Sequence, residues 1–154
     1  MDKFDKAILE LMQRDVSLSV GELAERIGLS KTACWRRIRQ LEAQGVIVAR
    51  VALLDPVKIN LPLTAFISVR TDKHNDQWFE QFKQVVGALP QVLEVYRMSG
   101  ELDYLIKVVV ADMAGYDRLY KEIIKADLFD VSGSFVMETM KHNTQLPLSE
   151  LAYE

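Results

Sequence analysis

With 154 residues, 49% of them apolar and 27% charged, and a net charge of −3, the chain has the make-up of a globular protein with room for one medium domain or two small ones. Its single cysteine, Cys34, excludes a disulfide framework or a cysteine-based metal site within one chain, and a reduced, cytoplasmic setting is expected. No apolar run is long enough to span a bilayer and no signal-peptide pattern opens the chain, so no membrane partner is expected.

Residues 2–14 open on Asp2, a capping residue, and carry Phe4, Ile8, Leu11 and Met12 at helical spacing, which predicts a first amphipathic helix. Ser19-Val-Gly-Glu22 matches a capping box, and Val20, Leu23, Ala24 and Ile27 form the apolar face of a short second helix. Gly28-Leu29-Ser30 reads as a tight turn. The stretch after it, LSKTACWRRIRQLEAQG over residues 29–45, predicts a third helix, capped by Ser30 and ended by Gly45. Cys34, Ile38 and Leu41 fall on one narrow buried stripe. Thr32, Trp35, Arg36 and Arg39 lie opposite, with Lys31 and Arg37 at the margins. A tight glycine turn followed by a basic helix is a helix-turn-helix pattern, and such a face suits the major groove of double-stranded DNA. Ser30, Lys31, Thr32, Trp35, Arg36, Arg37 and Arg39 are the candidate DNA contacts. Arg36 and Arg39 are expected to reach base edges or phosphate, while Arg37, nearer the buried edge, reads also as a brace on the backbone. The front of the chain is mildly basic, with ten Lys/Arg against eight Asp/Glu in residues 1–60; residues 61–154 carry nine against fourteen.

Residues 45–54 (GVIVARVALL) are rich in β-branched residues and predict a single strand or a hairpin-like wing beside the helices. The DPVKINLP segment that follows reads as a linker, with the domain boundary near residue 60. The organisation expected is therefore a helix-turn-helix domain over 1–60, wing or linker strand included, and a second domain over 61–154.

Beyond the linker the hydrophobic period changes. Strands are predicted over 63–70, 92–99, 102–110 and 131–141, and helices over 72–88 and 111–125. The first of these helices would turn Trp78, Phe79, Phe82, Val85, Val86 and Leu89 inward; the second would turn in Met113, Tyr116, Leu119, Tyr120, Ile123 and Ile124. The order βαββαβ is the ferredoxin-like arrangement, so the fold class is α+β, a three-helix (winged) helix-turn-helix domain plus a ferredoxin-like domain. Both helices of that fold cover one sheet face. The near-unbroken apolar run Tyr104, Leu105, Ile106, Val108, Val109, Val110 then calls for a cover on the other face. A second copy of the chain is the expected cover; the tail from residue 144, folding back over the sheet, is the other reading.

Catalysis is not expected. His74 and His142, the only histidines, fall at element ends and read as surface residues, and no nucleophile triad, phosphate loop, metal-ligand spacing or cofactor motif is present. A metabolite-sensing assembly protein that does not bind DNA is the alternative function.

Taken together, DKFDKAILELMQRD (2–15), GLSKTACWRRIRQLEAQGVI (28–47), SGELDYLIKV (99–108), ADMAGY (111–116) and SFVMETMKHNTQLPL (134–148) resemble the Lrp/AsnC, or feast/famine, family of transcription regulators in order and spacing. The departures are Lys31, where many members have proline, and the bulk of Trp35. The VALLDP and LTAF runs are similar to a cysteine-responsive branch. The resemblance implies a DNA-binding domain joined to a RAM ligand-binding domain, homodimers assembling to octamers, a pseudopalindromic operator and an amino-acid effector held between subunits. It also implies that Gly100, Glu101, Asp103 and Tyr104 match a pocket-lining hairpin, with Met98, Met113, Ser132, Ser134 and Val136 near it. On spacing alone, Gly100-Glu101 reads equally as a plain turn and Asp103 as an edge-strand charge. Dimeric recognition helices would meet major grooves roughly 34 Å apart.

Overall fold

The computed structural model describes residues 1–73 and 75–150; His74 and residues 151–154 lie outside the described part. The chain divides into two units, Met1–Leu53 with the segment from Lys141 onward, and Leu54–Met140. Among the described residues no helix is long and apolar enough to cross a membrane.

The first unit is a bundle of α1 (Lys3–Arg14), α2 (Val20–Ile27) and α3 (Lys31–Ala43). Each start is closed by its own side chains, which satisfy amides that have no partner in a first helical turn. Asp2 accepts from the amides of Phe4 at 2.8 Å and Asp5 at 3.0 Å, and Asp5 accepts in return from the Asp2 amide. Ser19 and Glu22 form the same reciprocal box on α2, and Ser30 accepts from the Ala33 amide on α3. Gly28 ends α2 in the left-handed region (φ 71°), which lets α3 leave at a sharp angle. Ile8, Leu9, Leu23, Ala24, Cys34, Ile38 and Leu41 meet in one core.

The C-terminal segment returns to this unit. Gln13 both donates to the Leu146 carbonyl and accepts from its amide, and Leu148 packs on the helical core. The tail through Leu148 is thus tied to the helices. The strand or wing expected over 45–54 does not form: residues 46–54 carry no regular structure, with Val48 89%, Val51 66% and Leu54 68% exposed. A strand needs a ladder partner, and this unit contains no other strand among its described residues.

The second unit is a four-stranded antiparallel sheet in the order β2-β3-β1-β4, built from β1 (Leu63–Arg70), β2 (Val92–Arg97), β3 (Tyr104–Val110) and β4 (Asp130–Phe135). Two helices, α4 (Asp76–Gly87) and α5 (Met113–Ile123), pack with one face of it. This is the ferredoxin-like order. Ala65, Ile67 and Val69 of β1 and Tyr104, Ile106, Val108 and Val110 of β3 meet Trp78, Phe82, Val86, Leu119 and Ile123.

Three of the residues expected to turn inward do not. Phe79 lies about 100° round the helix from Trp78, off the Trp78–Phe82–Val86 stripe, and is 38% exposed. Met113 stands at the first position of α5, and Ile124 begins the tighter turn that ends it; both are exposed. The last strand stops at Phe135 and not at 141, because its neighbour β1 begins at Leu63. The Val136 amide makes the final bond, to the Thr64 carbonyl, and Met137 and Met140 beyond it are exposed.

On the sheet face away from the helices, Thr64, Phe66 and Ser68 stand beside Leu105, Lys107 and Val109, flanked by Glu94 and Tyr96 on β2 and by Ser132 and Ser134 on β4. On this face Lys107 is matched by Glu94 at 3.0 Å, and Glu94 also accepts from the Tyr96 hydroxyl.

Candidate functional site

Helix α3 separates its residues sharply. Cys34, Ile38 and Leu41 are each at most 2% exposed, and burial pushes the Cys34 thiol above its ordinary pKa. Lys31, Thr32, Trp35, Arg36 and Arg39 are exposed on the other side, Trp35 by 55%. Lys31 and Arg36 make no ion pair with any described residue. Arg39 is 66% exposed and rests on Glu42 at 3.1 Å, an orientation that a phosphate can displace at little cost because exposed pairs are weak. Ser30 is at the head of the face but spends its oxygen on the helix start.

Arg37 differs from its neighbours. Its Nη1 lies 2.8 Å from Asp5 and 2.9 Å from Asp2, and its guanidinium stacks 5.4 Å from the Phe4 ring centroid. The Asp5 hydrogen bond leads in raising its pKa. This side chain ties α3 to the start of α1, so it belongs to the inner face and not to the outward cationic set. Sequence reading missed Arg50, which lies in the extended segment after α3 and pairs with Glu42 at 2.6 Å. Glu42 thereby holds two guanidiniums, Arg39 and Arg50, together. The signal was an isolated arginine in an otherwise apolar run, which linear spacing does not connect to a helix eight residues earlier.

The second candidate set lies on the sheet unit. Met98 and Asp103 close the hairpin between β2 and β3 through a 2.8 Å bond from the Met98 amide to the Asp103 carbonyl. Gly100 at its tip has φ 116°, a conformation that side chains rarely adopt. Glu101 is exposed. Asp103 is half-buried: its Oδ2 accepts from the Thr71 amide at 2.8 Å, while its amide donates to Val69. Tyr104 turns to the helix side and is 6% exposed, with its ring 4.8 Å from Phe82 and 5.8 Å from Trp78. It therefore does not stand with Glu101 at the tip.

The other members are elsewhere in the unit. Ser132 and Ser134 are exposed on β4, two strand spacings across the sheet from β3. Half-buried Val136 and exposed Met113 sit at the opposite end, beside Thr64 and after Val110. The register puts Val69 against Tyr104 and Leu63 against Val110, so the two ends are roughly 20 Å apart. One copy of the chain does not bring these residues around a single small molecule.

Residues 64–146 match the family described as the Lrp/AsnC ligand binding domain, and residues 1–48 match that described as winged helix-turn-helix DNA-binding. The chain is 50% identical over 151 residues to the glutamate uptake regulatory protein of Zymomonas mobilis, covering 97% of this chain and 92% of that one. It is similar in structure to an AsnC family transcriptional regulator from Agrobacterium tumefaciens, with a TM-score of 0.93, 50% identity and 99% and 100% of the two chains covered. It is also similar to a transcriptional regulator from Neisseria meningitidis solved as a complex with L-Met, with a TM-score of 0.92, 37% identity and 99% of each chain covered.

Proposed function

This chain belongs to the Lrp/AsnC family of DNA-binding transcriptional regulators, and on that premise we propose that it reads a duplex with the outward face of α3 and answers to an amino acid bound between copies of its second unit. The observation that carries the DNA reading is the division of α3: three apolar side chains sealed beneath and Lys31, Arg36 and Arg39 offered outward. Arg36 and Arg39 are assigned to base edges or phosphate, Thr32 and Trp35 to packing in the groove, and Lys31 to phosphate. Ser30 serves by fixing where the helix begins, and Arg37 by holding α3 against α1.

The effector is taken to be an amino acid, which the L-Met complex of the Neisseria meningitidis relative supports. A zwitterion needs an acceptor for its ammonium and donors for its carboxylate. Glu101 and the free Oδ1 of Asp103 are the acceptors, and the open backbone at Gly100 lets amides approach a carboxylate. Because Met98, Gly100, Glu101 and Asp103 stand roughly 20 Å from Met113 and Val136, a ligand that touches both groups must lie where two copies abut. The sheet face lined by Phe66, Leu105 and Val109, and the unpaired apolar run over 46–54, give copies of the chain surfaces on which to pair. Ligand binding at such a seam shifts the balance between assembled states, which is how it would alter DNA binding.

Thermal-shift measurements against the twenty amino acids test the effector class. A ligand at a hundredfold its dissociation constant adds about 2.7 kcal/mol to the stability of the form that binds it. Glu101→Ala together with Asp103→Asn, which keeps an oxygen for the Thr71 amide, should reduce that shift by the hairpin's share and leave ligand-free DNA binding intact. A full shift in this double variant would move the effector site off the hairpin.

A further inference from the structure

A second hollow lies within a single sheet unit, on the helix side, where the start of α4 meets the end of β2. It encloses about 250 Å³ and is lined by Lys73, Asp76, Trp78, Phe79, Arg97 and Tyr104, with the α4 cap Asn75. Drug-sized pockets start at roughly 300 Å³, so only a small metabolite would fit.

Its chemistry is unusual for an incidental groove. Tyr104 is 94% buried by the surrounding aromatic rings, yet its hydroxyl has no hydrogen-bond partner among the described residues and is not sealed from solvent. Tyr104 is among the residues that line the hollow. Arg97, the residue paired with Tyr104 across the β2–β3 ladder, is exposed and has no carboxylate partner among the described residues. Lys73, at the rim, is paired with Asp127. The hollow also faces the first turn of α4, whose Asn75 cap accepts from the Trp78 amide at 2.9 Å, so the positive end of a 12-residue helix dipole adds to the field. Trp78 is a fixed wall, because its indole donates to the Ala126 carbonyl at 2.8 Å.

We propose that this hollow is a binding site for a small α-amino-acid zwitterion, contained in one chain and separate from the hairpin seam. The guanidinium of Arg97 and the hydroxyl of Tyr104 both donate, and a flat carboxylate accepts from both. Asp76 at the rim disfavours an anion with more than one charge and accepts from the ammonium next to the carboxylate. The Trp78 and Phe79 rings form the wall for a short apolar side chain. Nothing in this assignment depends on Glu101 or Asp103, so the two sites stand or fall apart.

The chain has two tryptophans, Trp35 and Trp78, so a full-length Trp35→Phe protein makes Trp78 the only indole and its emission a probe of the hollow. Titration of that protein with the twenty amino acids, and with their 2-oxo acid counterparts, reads the site directly. At least one amino acid should change the emission saturably. Arg97→Ala and Tyr104→Phe should each weaken that titration by about tenfold or more, the effect of losing a hydrogen bond to a charged group. Glu101→Ala should leave it unchanged. The 2-oxo acid of the same skeleton should bind at least about tenfold more weakly than the amino acid, since it lacks the cation that Asp76 accepts. No saturable change with any amino acid, unaltered titration in Arg97→Ala, or loss in Glu101→Ala alone would each overturn the assignment. Equal binding of the 2-oxo acid would overturn the zwitterion as its ligand. A thermal shift that vanishes in the hairpin double variant while Arg97→Ala is silent would leave the hairpin reading standing.

Discussion

Replacing Arg37 and Arg36 by alanine, one at a time, separates a residue that holds the helix-turn-helix together from one proposed to contact DNA. Adjacent in sequence, they have opposite surroundings. The Arg37 side chain is 26% exposed and pairs with Asp5, itself 16% exposed, at 2.8 Å, while its guanidinium lies over the Phe4 ring. A partly shielded ion pair contributes up to about 1 kcal/mol and a cation–π contact about 0.5–1 kcal/mol. Arg37→Ala should therefore cost the first unit about 1–2 kcal/mol, seen as roughly fivefold to thirtyfold faster hydrogen exchange at the core amides of α1 and α3. Amides of the sheet unit should exchange as before. Arg36→Ala, at an exposed site with no ion pair, should stay within about 0.5 kcal/mol. DNA binding reverses the order. For any duplex, Arg36→Ala should reduce the slope of log affinity against log salt by about one, the loss of one phosphate contact, and Arg37→Ala should keep the parent slope. An Arg37→Ala protein with normal exchange and a reduced slope would refute the assignment of both residues.

Two further outcomes follow from the packing and the caps. An added Cβ at Gly133 would overlap the Tyr116 hydroxyl oxygen, whose ring is held edge-on by Phe135 at 4.7 Å, so Gly133→Ala should destabilise the sheet unit by about 1–3 kcal/mol. Tyr116→Phe should recover part of that loss in the double variant, and a calorimetric change under about 0.5 kcal/mol for Gly133→Ala alone would contradict the packing. On acidification, the first unit should lose more stability than a variant without its capping carboxyls. The Asp5 amide leads in holding the Asp2 carboxyl below its ordinary pKa, and the Ser19 hydroxyl does so for Glu22. Groups lowered on folding stabilise fully above their unfolded pKa and lose that contribution as pH falls through the folded value. Asp2→Asn with Glu22→Gln should flatten the circular-dichroism loss below about pH 4, and an identical acid profile would show that these caps do not govern it.

Much of this was legible from local chemistry. Capping residues, helical periodicity and the switch to strand patterning are properties of a few neighbouring side chains, so α1, α2, α3 and the βαββαβ order could be read from the sequence. What escaped depends on distant partners. The clamp from Arg37 to Asp5 joins residues 32 apart, and Glu42 holds Arg50 only because the chain turns back after α3. The run over 46–54 has the residues of a strand but no ladder neighbour. β4 ends where β1 begins, which its own apolar residues do not reveal. Tyr104 matches a ligand-lining position in the family pattern, yet the alternation of β3 sends its ring to the helices. The candidate residues around the hairpin were identifiable one by one, but their separation across the sheet is set by register, and it is from that separation that a seam between copies is proposed.

Helix α3 is proposed to select DNA through its outward arginines, Arg36 and Arg39. Repeated enrichment of a random duplex pool on the full-length protein, run in parallel with an Arg36→Ala, Arg39→Ala variant, measures this most directly. The parent should enrich a pseudopalindromic sequence, while the variant, with hydrogen exchange at its core amides unchanged, should enrich none. Enrichment of the same sequence with undiminished affinity by the variant would contradict it.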